Sequence, residues 1–132
     1  YSGVIPIMLN KVDQGETPVI NGDGTQAYDF IYVEDVARAN VEALQAEATD
    51  RFYNVGTGVQ TSVRELCQTI LTLKESSLKV DYKPYPADDA RQLVKNRIGS
   101  TERARQEIGF AHRYTLTQGL EALIAWRNEQ PQ

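Results

Sequence analysis

Apolar positions recur at helical spacing in five stretches of the chain. Ile5, Met8, Leu9 and Val12 mark one face of a helix over Gly3–Gln14, where Pro6 is tolerable only because it falls in the first turn and Gly15 is a natural stop. Val33, Val36, Ala37, Asn40, Val41 and Leu44 repeat at the same period and predict a helix to about Ala46. A capping box, Ser62 with Glu65, opens a third helix with Val63, Leu66, Cys67, Ile70 and Leu71 on its buried face. Ser100 is the expected cap of a short helix ending at Gly109. Thr115 with Gln118 is a second capping box, opening a last helix through Asn128 with Leu116, Leu120, Leu123 and Ile124 inward. Between these lie Pro18–Ile20, Phe30–Val33, Phe52–Val55 and Leu78–Tyr82, short runs rich in β-branched or aromatic residues that predict strands. Pro84 and Pro86 start an irregular acidic loop. The pattern is α/β, with short strand pairs expected in place of a complete doubly wound sheet.

At 132 residues the chain reads as one domain, long enough to bury a core. A net charge of −4 with signs interspersed points away from nucleic acid and anionic membranes. Cys67, the lone cysteine, has no internal disulfide partner and fits a cytoplasmic setting. No run of about 20 apolar residues occurs. The sequence opens at Tyr1, almost inside its first helix and without an initiator methionine, as a cut piece would.

The most informative stretch is Asn21-Gly-Asp-Gly-Thr-Gln-Ala-Tyr-Asp-Phe-Ile-Tyr-Val-Glu-Asp-Val-Ala37. Gly22 and Gly24 around Asp23 are the chemistry of a reversing turn. Glu34 and Asp35 sit where a helix N-terminus favours negative charge. From Gly22 onward the run closely resembles a segment of the nucleotide-sugar epimerases and dehydratases, the extended branch of the short-chain dehydrogenase/reductase family. The resemblance implies a nucleotide-sugar substrate, a UDP-sugar foremost, and a bound NAD. It also implies that this chain is the C-terminal, substrate-binding half of such an enzyme. The expected fold is accordingly an incomplete one, with about five helices and the cofactor-binding Rossmann core missing.

Two stretches imitate a dinucleotide-binding turn. Gly22-Asp-Gly24-Thr-Gln-Ala27 fits the letters, but a strand is expected after it where the fingerprint needs a helix. Gly56-Thr-Gly58-Val-Gln-Thr61 follows an expected strand and precedes a helix, with Asp81 downstream, yet Thr61 replaces the third glycine. It reads as a turn between strand and helix. The family's Tyr-x-x-x-Lys pair is absent: none of Tyr1, Tyr28, Tyr32, Tyr53, Tyr82, Tyr85 and Tyr114 has a lysine four positions later. No residue is therefore assigned proton transfer, and no cofactor is expected to bind this piece. His112, the only histidine, gives a metal cluster or a Ser-His-Asp triad almost nothing to build on and reads as a solvated loop residue. Cys67 reads as core. Lys79, Tyr82, Lys83 and Tyr85 read as a strand edge in preference to an RNA platform.

The resemblance does imply substrate contacts. The N-terminus of the first helix, around Gly3 and Val4, would face the diphosphate. The strand Val19-Ile-Asn21 would lie along the uracil, with Asn21 standing where the family often has an aromatic; an amide can hydrogen-bond a base edge but cannot stack on it. Tyr28 stands where related enzymes commonly carry arginine, replacing a charged fork of donors by one neutral hydroxyl. A second family arginine falls on Arg91 by the Asp89-Ala-Arg91 text, or on Lys95 by counting back from Ser100, with Arg97 in reach of the same loop. The leading expectation is the substrate-binding part of an NAD-dependent epimerase or dehydratase, catalytically silent alone. The rival is a truncated, non-enzymatic module. Apolar faces left uncovered would make either self-associate as a homo-oligomer.

Overall fold

The computed structural model describes residues 3–88 and 96–131. In chain order the elements are α1 (Val4–Asp13), β1 (Val19–Asn21), β2 (Ala27–Tyr28), α2 (Val33–Gln45), β3 (Thr61–Ser62), α3 (Val63–Leu73), β4 (Asp81–Lys83), β5 (Asn96–Arg97), α4 (Glu102–Ile108) and α5 (Leu116–Glu129). They fall into two compact units, each assembled from two separated segments: Tyr1–Tyr28 with Thr61–Arg97, and Asp29–Gln60 with Ile98–Gln132.

In the first unit the five residues predicted for the inner face of α3 are all buried. α1 packs against α3 and buries Met8, Leu9 and Val12, while Ile5 is half-buried. The Ser62–Glu65 capping box is closed: Ser62 Oγ accepts from the Glu65 N–H at 3.1 Å and Glu65 Oε2 accepts from the Ser62 N–H at 2.9 Å. Burial pushes the Cys67 thiol up to about 11, which makes it a packed apolar side chain and a poor nucleophile. β1 pairs with β4 in parallel, Val19 opposite Asp81 and Asn21 opposite Lys83. β2 is the middle of a second sheet, antiparallel to β3 and parallel to β5. The turn between β1 and β2 holds Gly22 and Gly24 at φ +81° and +77°, where side chains other than glycine are strained. The Asp23 carboxylate accepts from the Thr25 hydroxyl at 2.6 Å and the Thr25 N–H at 3.0 Å, bonds that hold its carboxyl below the usual range. Arg64 of α3 donates to the Asp23 carbonyl at 2.6 Å.

The second unit is built on Ala39, Ala104 and Phe110, with Ile31, Tyr53, Val55 and Ile108 packed around them. Two predicted strands are corrected here. Phe30–Val33 and Phe52–Val55 join no ladder, and Val33 is the first helical residue of α2. Ile31, Tyr53 and Val55 are apolar because they pack onto this core, a burial signal that a four-residue run cannot separate from strand pairing. The predicted Ser100 cap is also shifted: Thr101 precedes α4, and Ser100 Oγ accepts from the Glu102 N–H at 3.4 Å. The box that opens α5 is closed as expected, with Thr115 and Gln118 exchanging bonds of 3.2 and 3.0 Å. Leu120 is buried, and Leu116, Leu123 and Ile124 are half-buried. No helix among the described residues is long and apolar enough to cross a membrane.

α2 is anchored by a carboxylate. Asp35, 1% exposed, accepts from the N–H groups of Arg113 (2.9 Å) and Tyr114 (3.1 Å) and from Arg38 Nη2 (2.7 Å). Burial pushes its carboxyl up, but the bonds from Arg113, Tyr114 and Arg38 outweigh that and leave it below the usual range. Arg38 also donates to Glu42 at 2.8 Å and to the Ala111 carbonyl at 2.7 Å, its guanidinium 5.3 Å from the centre of the Phe110 ring. The apolar stripe that predicted this helix points the other way: Val33, Val36, Ala37, Asn40, Val41 and Leu44 are exposed.

Asp35→Ala, which strips the acceptor from two backbone N–H groups and from Arg38, is expected to cost about 3 kcal/mol in denaturant unfolding. Because the folded carboxyl lies below its unfolded value of 3.8, its contribution is present above that pH and is lost as pH falls through the folded value. The stability gap between the parent chain and Asp35→Ala should therefore close in strong acid. A gap independent of pH would contradict this account.

Candidate functional site

The substrate contacts implied by resemblance fall in the first unit. Gly3 is the N-cap of α1 and Val4 its first residue, both half-buried. The first turn carries no acid, and Pro6 has no N–H, so the outward donors are those of the leading residues. Val19 and Asn21 lie on one side of β1, with Ile20, 2% exposed, on the other. The Asn21 carbonyl accepts from Gln26 Nε2 at 3.2 Å, which fixes the strand end. Tyr28 is half-buried in β2, opposite Thr61 and paired with Arg97 of β5. The structure thus keeps Val19 and Asn21 together on one strand and puts Tyr28 in a different sheet. Arg91 and Lys95 lie outside the described residues, whereas the parallel register sets the Arg97 backbone beside Tyr28. That neighbour is visible only in the fold, because nothing in the loop sequence encodes the pairing.

Sequence reasoning missed Asp29. Its carboxylate accepts from the Thr57 hydroxyl at 2.5 Å, the Thr57 N–H at 3.0 Å and the Gly58 N–H at 2.8 Å. A Cβ on Gly56 would lie 2.5 Å from the same carboxylate, so a larger residue there would push the carboxylate out of its place. The signal available in the sequence was an acid next to Tyr28 and a Gly-Thr-Gly turn with a hydroxyl between the glycines. The Gly56–Gly58 turn therefore hands its N–H groups to an internal anion, the role a pyrophosphate would otherwise fill. No strand precedes this turn, and β3 lies between it and α3. The Gly22–Gly24 turn leads into β2, which lies at Ala27–Tyr28 and not at the expected Phe30–Val33.

Elsewhere in the second unit, a cleft of about 660 Å³ is lined by Phe52, Asn54, Ser100, Glu102, Arg103 and Glu107, among others, and contains none of the implied contacts. Among the described residues no group of three His, Cys, Asp or Glu side chains is placed to hold a metal ion. His112 is exposed in a loop.

Residues 1–56 match the NAD dependent epimerase/dehydratase family. Over nearly its whole length the chain is similar to proteins named for UDP-sugar chemistry. A putative UDP-glucose 4-epimerase of Methanocaldococcus jannaschii is 33% identical over 125 residues, covering 95% of this chain and 39% of that protein. The UDP-N-acetyl-alpha-D-glucosaminuronate decarboxylase of Bacillus cytotoxicus is 28% identical, covering 98% of this chain and 41% of its own. The crystal structure of a UDP-glucose 4-epimerase with UDP-glucose from Thermotoga maritima superposes with a TM-score of 0.86 at 28% identity, covering 96% of this chain and 40% of that one. The chain thus spans about two fifths of the length of the relatives it matches.

Asp29→Ala is expected to destabilise the second unit by about 1–3 kcal/mol, through N–H groups left without their acceptor. Amide exchange at Thr57 and Gly58 should speed up, measured by NMR. Unchanged exchange at both positions would refute the carboxylate clamp.

Proposed function

We propose that this chain is the C-terminal, substrate-binding part of an NAD-dependent nucleotide-sugar epimerase or dehydratase, with a UDP-sugar as its ligand. One observation supports the reading: residues 1–56 match an NAD-dependent family, yet no tyrosine of these 132 residues is followed by lysine four positions on. Epimerisation is the favoured reaction of the parent, in keeping with the name of the Methanocaldococcus jannaschii relative. In this reading the N-terminus of α1 takes the diphosphate through its leading N–H groups, and the Val19–Asn21 edge follows the base. Tyr28 offers one neutral hydroxyl where related enzymes commonly carry arginine, and its backbone neighbour across the ladder is Arg97. Arg91 remains a further candidate for the same phosphate.

The turns present do not fit NAD. The Gly56–Gly58 donors are held by Asp29, and the Gly22–Gly24 turn precedes a strand. NAD and the hydride step belong in this proposal to sequence outside these 132 residues, and the chain alone is catalytically silent. A cytoplasmic location accompanies the reading, in line with a single buried free cysteine.

NMR titration of the 132-residue chain tests this directly. UDP and UDP-glucose are expected to shift the amide resonances of Val4, Val19, Asn21 and Tyr28 with millimolar affinity, while NAD shifts none and UDP-glucose is not turned over. UDP shifts confined to other residues, micromolar NAD binding, or turnover by the chain alone would overturn the assignment.

A further inference from the structure

Two tyrosines clasp the turn that follows β1. The Tyr82 ring lies at Gly24, where a Cβ would sit 3.3 Å from Tyr82 Cε1, and the Arg64 guanidinium is 5.7 Å from the centre of that ring. Tyr85 takes Gly22. A Cβ on Gly22 would meet Tyr85 Cε2 at 2.6 Å and Cδ2 at 3.2 Å, so one edge of the tyrosine ring fills the space a side chain would need. The backbone holds this contact in place, because the Gly22 N–H donates to the Lys83 carbonyl at 2.7 Å, two positions before Tyr85. Pro84 and Pro86 flank Tyr85 and narrow its backbone freedom further.

The register separates the two rings. Tyr82 is opposite Ile20 in the β1–β4 pair, so it belongs to the side of the ladder that Ile20 takes. Val19 and Asn21 take the other side, opposite Asp81 and Lys83. Tyr85 abuts the residue directly after Asn21, which places an aromatic ring and a side-chain amide at the same strand end.

We infer that Tyr85 is the stacking residue for the nucleobase, with the Asn21 amide reading the base edge. The inference rests on the nucleotide reading above, in which the base follows the Val19–Asn21 edge. Uracil makes two demands: an apolar face for its ring, and partners for the donor and acceptors on its rim. A phenol ring meets the first, and an amide, donor and acceptor at once, meets the second. Tyr85 is half-buried and its ring is seated on a glycine, so little side-chain freedom remains to be lost on binding.

UDP titrated into the 132-residue chain, with NMR observed on both molecules, tests this role. The ring protons of bound uracil should move upfield in the ring current of Tyr85. Tyr85→Phe keeps a ring and should bind UDP within about twofold of the parent, whereas Tyr85→Leu should weaken UDP at least about fivefold and abolish the upfield shift. Affinity for inorganic pyrophosphate, which has no base, should be the same in all three chains. Bound UDP whose uracil protons stay in place, or equal affinity in the parent and Tyr85→Leu, would overturn the stacking role and leave the nucleotide site standing. A parallel loss of pyrophosphate in Tyr85→Leu would also overturn it, as a structural effect. No binding of UDP to the parent chain would remove the site and the role of Tyr85 together.

Discussion

A carboxylate removed from water costs several kcal/mol unless donors replace the lost hydration. At the head of α2 two backbone N–H groups and a guanidinium do so for Asp35, and the arrangement reaches well beyond the residue itself. The N–H groups come from Arg113 and Tyr114, nearly eighty positions along the chain, so one side chain fixes the entry to α5 against the start of α2. Arg38 extends the link to Glu42, to the Ala111 carbonyl and to the face of Phe110. Tyr114 adds a hydroxyl bond to Glu34 at 2.9 Å and packs its ring on Tyr32 at 4.5 Å between centres. The apolar cluster beneath has Ala39, Ala104 and Phe110 as its buried members. The directional bonds at Asp35 add to this packing by tying the start of α2 to the entry of α5.

A parallel device operates at Asp29, where a carboxylate organises a glycine turn by collecting the donors that make such turns attractive to phosphates. The two acids stand six positions apart, on either side of an extended segment. They explain why Phe30, Ile31 and Tyr32 are held without a ladder. The stretch that most resembles the epimerase and dehydratase family is thus the stretch in which fold-defining carboxylates are densest. The proposed nucleotide contacts lie on other elements, α1 and β1.

The helices were legible because their signals are local. Both capping boxes and the five inward residues of α3 follow from spacing alone, and both are present. The strands were legible only in part: Pro18–Ile20 overlaps β1 and Leu78–Tyr82 overlaps β4 at its last two residues, and these two pair, while in Phe30–Val33 and Phe52–Val55 it is Ile31, Tyr53 and Val55 that pack onto a helical core. The orientation of α2 was hidden for a physical reason. Its stripe has the right period, but aspartate and arginine are ordinarily the exposed side of a helix, and here paired charges face inward. Of the expected substrate contacts, Val19 and Asn21 could be placed on a common strand face from alternation, whereas the adjacency of Arg97 and Tyr28 depends on a parallel pairing between segments nearly seventy residues apart.

The interleaving of the two units bears on how the chain comes into being. The first needs Arg97 to be complete, and the second begins inside the first and closes only after Ile98. During synthesis, then, neither can finish until residues 97 and beyond have left the ribosome, and early segments must wait for distant mates. Residue 56, where the family match ends, falls in the middle of a unit. A gene divided at that point would separate each structural body from its own other half.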